Sequence, residues 1–476
     1  MKIAIFSPYA TVVPHFDTEL EIAQKHLDRG DQVEFVHCVG GLANCDFNID
    51  RDPARCQQCI GRREMGLELL APTVRVESIP AVGWQPLNLK NDFVSVLELI
   101  DYRIDNFDIG FAALSSLVSF CRDPEPDLIA HRVRLNQFLT SALQTFRHAQ
   151  TYMIANRPDR VYVFNGRFAA MRAVFRACQD VGIDCYLHER GCDGEHYVVL
   201  KNHFLHDIPA MDRVIQQTWC DAELRSERLA VAAQWYQNRV DRIEREWFSF
   251  VKQQQRGMLP PEWDSSKHNV TIFCSSDDEF VAIGDCWKNE LYSNQVVAIQ
   301  KLATDLQTFA PHVHLTLRVH PNLASVDNPR KRDMLALEFP NLSIIPPESP
   351  IDSYELLRAS DCVATFGSTV GIEAVYWDRP SVLLGPSMYQ NLGGTYRPST
   401  HAEAVQLLIQ PLLPLEKIGA LMFGFWLQTN GVRYEYFRSS GLFDGQFKGQ
   451  TLYARPPKKT LGMRIRNEAR KLFARL

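Results

Sequence analysis

The sequence predicts an α/β protein made of two Rossmann-type domains that face a cleft. Three observations predict it. Short apolar runs alternate with helix-like stretches near the start of the chain and again from residue 269 onward. Those runs are nearly continuous in apolar residues, as in parallel strands buried on both faces. A segment rich in Pro, Gly and Ser, RGMLPPEWDSSKHN, separates the two series. The 476 residues, 46% of them hydrophobic, suffice for two cores.

KIAIFSP, from Lys2, reads as the first strand, and the helical stretch Phe16 to Arg29 is stopped by Gly30. QVEFVHCV is the second strand. Residues 87–155 read as mostly helical. DRVYVFNG and DCYLHERG are two further strands around a helix from Phe168 to Asp180, with Gly182 where that helix should end. Residues 211–255 again read as helical, carrying Trp219, Trp235 and Trp247 among many charges. After the linker come the strand VTIFCSS, a helix Ser293 to Phe309, and the strands HLTLRVHP and NLSIIPP. A helical turn Ser353 to Arg358, the strand CVATFGS, a helix Thr369 to Trp377 and the strand SVLLGP complete the series. The expected division is 1–258, a first Rossmann-like domain with helical insertions; 267–400, a second; and 401–476, C-terminal helices with a basic tail.

Several function classes are excluded. A formal charge of −5 and a pI near 6.3 give no general attraction to nucleic acid. No apolar run is long enough to span a bilayer, and MKIAIFSPYA lacks the apolar core of a secretory signal. There is no Gly-x-x-x-x-Gly-Lys-Ser/Thr loop and no Gly-x-Ser-x-Gly elbow. Asp50–Arg51–Asp52 matches an Asp-x-Asp pattern. It lies in a Cys-rich loop with a cation at its centre, and reads as a chance match.

In open α/β sheets, ligands sit beyond the carboxyl ends of strands, and four candidate groups lie there. In TFGSTVGIEAVYW, Gly367 permits a tight turn, and Ser368 and Thr369 stand at a helix start where N–H groups and hydroxyls can meet a phosphate. Gly371 lets backbone approach ligand or sheet, and Glu373 can accept from ribose hydroxyls; the alternative is that Ser368 only caps the helix. Arg318 and His320–Pro321 end another strand, and His320 can donate to a phosphate. Arg318 can instead be a salt-bridging strand residue. Ser275 and Ser276, before Asp277, Asp278 and Glu279, can meet phosphate from the other side or cap the next helix. In the first half, Asn165, Arg167, His188, Glu189 and Arg190 reach one edge if their strands are neighbours. Glu189 is then a candidate general base, and Arg167 or Arg190 can hold an anionic substrate. The alternative there is an internal Glu–Arg salt bridge.

RVHPN followed by TFGSTVGIEAVYWDRPSVLLG resembles the C-terminal half of bacterial capsule and surface-polysaccharide biosynthesis glycosyltransferases of the GT-B type. VYVFNGRFAAMRAV with YLHERG resembles the same broad group. The likeness covers about half of the chain, in patches. It implies a GT-B-like fold whose second domain binds a nucleotide-sugar donor and whose first binds a glycan or lipid-linked glycan acceptor. His320–Pro321 and Ser368–Thr369 match, in order, the His-Pro and Ser/Thr motifs of Kdo- and sialyltransferase-like enzymes. This favours a CMP-activated ulosonic acid such as Kdo as donor. The family's acidic base motif is not intact, and His188–Glu189–Arg190–Gly191 is its nearest equivalent. The expected reaction is metal-independent, with no catalytic cofactor. A GT-B-fold sugar-nucleotide epimerase and a non-catalytic glycan-assembly subunit are the alternatives.

Cys38, Cys45, Cys56 and Cys59 form one group among twelve Cys, and four thiolates with a Cys-x-x-Cys half-site suit a structural Zn²⁺. Free thiols are the alternative. The C-terminal RPPKKTLGMRIRNEARKLFARL carries eight Lys/Arg and one Glu. It reads either as a basic amphipathic helix for an anionic membrane surface or as a solvated terminal helix. The expected location is cytoplasmic, either free or, with the first reading of the tail, peripheral on the inner face of the plasma membrane.

Overall fold

The computed structural model describes residues 1–80, 89–222, 225–245 and 247–452. The basic tail therefore lies outside the described residues. Among those described, no helix is long and apolar enough to cross a membrane.

The first sheet holds β1 (Lys2–Ser7), β2 (Gln32–Cys38), β3 (Arg75–Ile79), β4 (Arg160–Phe164), β5 (Cys185–Arg190) and β6 (His196–Lys201). The second holds β7 (His268–Phe273), β8 (Val313–Arg318), β9 (Leu342–Ile345), β10 (Cys362–Thr365) and β11 (Ser381–Leu383). Near the end of the chain come β12 (Val432–Arg433), β13 (Phe437–Gly441) and β14 (Asp444–Phe447). The sheet orders are β12-β6-β5-β4-β1-β2-β3 and β11-β10-β7-β8-β9. In each half the five parallel strands follow the Rossmann order 3-2-1-4-5. β6 and β12 extend the first sheet antiparallel.

The central strands are apolar on both faces because both faces are covered. In β1, Ala4 and Phe6 join one core and Ile3 and Ile5 the other, all four fully buried. The first core is capped by the helices Ile109–Cys121, Arg132–Asn156 and Ala169–Val181. The second is capped by the helix His15–Asp28 and the β13–β14 hairpin.

The layers cross the expected domain boundaries in two places. The helices Ile208–Asp221 and Arg225–Val240, expected in the first domain, pack on the second half: Met211, Ile215, Trp235 and Tyr236 share a cluster with Ile372, Val375, Phe423 and Trp426. Residues beyond the helix Ile418–Thr429 return to the first half. There β12 pairs with β6, and the fully buried Glu21 carboxylate accepts from the backbone N–H of Glu435, Tyr436 and Phe437 at 2.7, 2.8 and 3.0 Å. The helical reading of 211–255 also stops short. The second helix ends at Val240, and Arg242, at φ 64°, turns the chain into a non-helical strap held by Arg242 Nη1 on the Gln254 carbonyl at 2.7 Å.

Glu21→Ala strands three backbone donors, that of Phe437 buried and the other two partly buried. It is expected to cost about 3 kcal/mol of unfolding free energy in urea titrations and to expose residues 430–452 to limited proteolysis; unchanged stability and cleavage contradict the docking role.

Candidate functional site

In the second sheet the chain leaves β7 toward β8 and β9 on one side, then crosses to β10 and β11 on the other. The loops after β7 and β10 therefore diverge and open a crevice. A cleft of about 250 Å³ lies there, lined by Ser275, Ser276 and Glu279 after β7, His320 after β8, and Gly367, Ser368 and Thr369 after β10. Its far wall comes from residues that packing brought across: Trp235, Asn238 and Arg239 from the helix Arg225–Val240, and Arg245, Trp247, Phe248 and Phe250 from the strap. No local motif marks any of these. Arg239 stands in a charged helical stretch, and only its tertiary contacts single it out.

The turn after β10 is set by sterics. Gly367 has φ +124°, and a Cβ there would lie 2.3 Å from the Pro386 carbonyl oxygen. At Gly371 a Cβ would lie 2.4 Å from both Thr365 Cγ2 and the Tyr389 hydroxyl, so this glycine serves close packing rather than a ligand. The N–H groups of Gly367 and Ser368 already donate to Thr365 Oγ1 at 3.3 and 2.9 Å, and Val370 N–H to Ser368 Oγ at 3.4 Å. What the turn offers the cleft is therefore its hydroxyls, more than a row of free amides.

Glu373 does not reach the cleft wall. It is fully buried, and its oxygens accept from Arg239 Nε at 3.0 Å, Thr369 Oγ1 at 3.0 Å and Tyr354 OH at 2.6 Å. A carboxylate with those lone pairs engaged is poorly placed for ribose. Instead it orients Arg239, whose guanidinium lies 5.1 Å from the Trp235 ring, and fixes Thr369. Arg318 is also not at the site. Its buried guanidinium donates to the Pro346 and Ser349 carbonyls at 2.6 and 3.3 Å and holds the loop after β9. Pro321 opens a short 3₁₀ turn and serves as backbone geometry.

His320 Nδ1 accepts from Asn322 N–H at 3.1 Å, so a neutral ring carries its proton on Nε2. Burial, then Arg318, Arg239 and Arg122, pull its pKa down to about 4. His320 is thus a neutral N–H donor at pH 7. The carboxylates after β7 cap no helix and find separate partners. Asp277 bonds to Gln295, Asp278 pairs with Arg122 Nε at 2.5 Å, and Glu279 accepts from Asn322 Nδ2 at 2.7 Å. Burial pushes Asp277 up to about 7, and burial with Asp278 nearby raises Glu279. Ser275 Oγ is buried without a protein partner, beside Gly367.

The first-half candidates at the ends of β4 and β5 are not among the residues lining this cleft; they adjoin it through Arg167 and Arg190. Asn165, at φ 55°, donates from Nδ2 to Glu189 Oε2 at 2.7 Å, and Arg190 N–H donates to Glu189 Oε1 at 3.0 Å. Arg190 Nη2 donates to the Val13 carbonyl at 2.8 Å, and its guanidinium lies over Phe443 at 4.6 Å and Trp247 at 5.7 Å. Arg167 bridges the halves through Nη1 on the Glu279 carbonyl at 2.7 Å. His188 turns away: it is 1% exposed and faces Glu19 at 3.6 Å. Successive strand residues point to opposite faces, so His188 and Glu189 cannot share one edge.

Cys38, Cys45, Cys56 and Cys59 line a separate pocket of about 330 Å³ beyond β1 and β2. No three of their sulfurs lie within 4.8 Å of one another; among the described residues that spacing is met by Cys192, Asp193 and His196, where Arg245 pairs with Asp193 at 2.9 Å. Asp52 of the Asp-x-Asp match caps the helix Pro53–Glu68 through Ala54 N–H at 2.9 Å.

No family model and no curated protein matches the chain. Solved structures do. A Thermosulfurimonas dismutans KpsC, titled a beta Kdo 2,4 transferase, aligns with TM-score 0.38 and 12% identity over 56% of this chain and 79% of its own. The UDP-GlcNAc 2-epimerase of Neisseria meningitidis, bound to UDP-GlcNAc, aligns with TM-score 0.30 and 10% identity over 89% and 97%. The glycotransferase of kitacinnamycin aligns with TM-score 0.24 and 12% identity over 90% and 95%. These likenesses are too distant to carry an argument about chemistry, which rests on the chain's own residues.

A titration of His320 is expected. Its folded pKa lies below the ordinary 6.5, so as pH falls from 6.5 toward 4 the unfolded chain takes up a proton that the folded one refuses. Wild type should lose stability relative to His320→Gln across that window, by up to about 1.4 kcal/mol per pH unit. Parallel pH–stability curves for the two proteins contradict the neutral, half-buried imidazole.

Proposed function

We propose that the chain is a glycosyltransferase that takes a sugar from a nucleotide donor without a catalytic metal. One observation carries this reading: Ser275, Ser276, His320, Ser368 and Thr369, from three different loops, meet Arg239 in one cleft at the switch point of the second sheet. Such a set of hydroxyls, one imidazole N–H and one guanidinium suits a phosphate group. The motif resemblance favours a CMP-activated ulosonic acid such as Kdo as donor and a surface polysaccharide or lipid-linked glycan as acceptor.

In this mechanism the acceptor lies between the two halves. Glu189, held by Asn165 and the Arg190 amide, takes the proton of the acceptor hydroxyl as its oxygen attacks the anomeric carbon. The bond from that carbon to the phosphate oxygen breaks. The growing negative charge on the leaving phosphate meets donors already in place: His320 Nε2–H, the Ser368 hydroxyl and the Arg239 guanidinium, while the Thr369 hydroxyl, which donates to Glu373, holds the wall. Arg190 and the aromatic side chains of Trp247 and Phe248, nearly half exposed, border the acceptor side.

A thermal-shift screen of CMP, UDP and GDP tests the donor site, because a ligand of the native state raises the melting temperature. One nucleotide is expected to stabilise the wild type. Arg239→Ala should weaken that binding by about 1.5–3 kcal/mol, the range for hydrogen bonds to charged groups. No shift with any nucleotide contradicts the site.

Glu189→Gln should leave the nucleotide shift intact and lower kcat by roughly 10²- to 10⁴-fold in an acceptor-dependent assay. Turnover of a nucleotide sugar without any acceptor points to an epimerase instead. Unchanged surface glycan in cells carrying His320→Ala and Ser368→Ala points to an assembly subunit.

A further inference from the structure

We propose that Cys38, Cys45, Cys56 and Cys59 form a structural Zn²⁺ site that ties the loop after β2 to the carboxyl edge of the first sheet. The proposal is independent of the reaction assigned to the cleft.

The four thiols come from three pieces of chain and line one pocket. Cys38 ends β2, Cys45 lies in the following loop, and Cys56 and Cys59 stand one turn apart on the helix Pro53–Glu68. None is in a disulfide. Every sulfur is met by an N–H donor. Gly40 N–H donates to Cys38 at 3.2 Å, Asn48 Nδ2 to Cys56 at 3.1 Å and Ala10 N–H to Cys59 at 3.2 Å. Arg63 Nη2 adds a second donor to Cys59 at 3.6 Å, and the backbone N–H of Phe47 faces Cys45. A neutral thiol is a weak acceptor and does not call for such a set. Metal-bound thiolates carry negative charge, and donors of this kind are the outer shell that holds and tunes them.

The chemistry of the donor set selects the ion. Four thiolates in a closed tetrahedron suit Zn²⁺ and leave no open position for substrate, so the role is structural. With Zn–S near 2.3 Å, the sulfurs must stand about 3.8 Å apart. No three of them lie within 4.8 Å of one another, so the set stands open in this structure. Rotation about χ1 moves a cysteine sulfur by roughly 3 Å between staggered positions, and it is the motion that metal binding requires of the set. The loop gains most from closure. Residues 39–52 contain no helix or strand and are held by polar contacts such as Asn44 N–H to Ser141 Oγ at 2.6 Å and Asn48 Nδ2 to the Asp52 carbonyl at 2.8 Å.

Metal analysis of the full-length protein, purified without chelator, should give about one zinc per chain. Cys56→Ser with Cys59→Ser should lose that zinc. Stripping the wild type with a chelator should lower its melting temperature, and added Zn²⁺ should restore it. Where the double variant does not fold, cobalt decides: Co²⁺ added to stripped wild type should give the sulfur-to-metal charge-transfer bands and strong visible absorption of a tetrahedral thiolate site. Protein that holds no zinc and gives no such bands overturns the proposal. So does iron with acid-labile sulfide, or a Cys56–Cys59 disulfide in protein purified under reducing conditions.

Discussion

Glu373 is a carboxylate sealed from water, and the side of the cleft built by the second sheet is organised around satisfying it. A buried charge is tolerated only when its lone pairs are filled. Here three donors from three elements do so: Arg239 from the helix Arg225–Val240, Tyr354 from the helix Ser353–Ala359, and Thr369 from the turn after β10. The ion pair does two things at once. It docks a helix from the middle of the chain onto the second sheet, and it aims a guanidinium into the cleft that Ser368 and His320 also line. Around it, burial leaves His320 a neutral N–H donor and raises Glu279 above the usual carboxylate range.

Both halves use the same parallel strand order, and that repetition explains where chemistry-bearing residues gather. In each, the first and fourth strands are neighbours whose loops part. The second half puts Ser275 and Gly367 at that point. The first half puts Asn165 there, with Glu189 at the end of the next strand. The halves are joined by polar contacts near the cleft. Arg167 reaches the Glu279 carbonyl, Arg172 the Ile283 carbonyl at 2.9 Å, and Arg122 the Asp278 carboxylate. The return of the chain through β12 adds a further tie at the β6 edge of the first sheet.

What could be read from the sequence was local. Continuous apolar runs such as KIAIFS and CVAT mark central strands because burial on both faces leaves no room for a polar alternation. Strand ends followed by Ser, Thr, His or Gly mark the crevice because the Rossmann order puts them there. Long-range packing was not legible. Arg239 looks like any charge on a surface helix until Glu373 is placed beneath it. Glu373 looks like a ligand until its three donors are counted. His188 and Glu189 are adjacent in sequence, but strand pleating sends them to opposite faces. The strap after Val240 carries Trp247 and Phe248 into the cleft, and nothing in its composition separates it from the helix before it.

The central claim is that a donor phosphate occupies the cleft beside Arg239. Hydrogen–deuterium exchange of the full chain, with and without the stabilising nucleotide, tests it most directly. Nucleotide binding in the cleft should slow exchange in three separate segments, 274–280, 319–323 and 366–371, together with the helix that carries Arg239, and change little around the cysteine pocket. Protection confined to the first half, or no protection in those three loops, would contradict it.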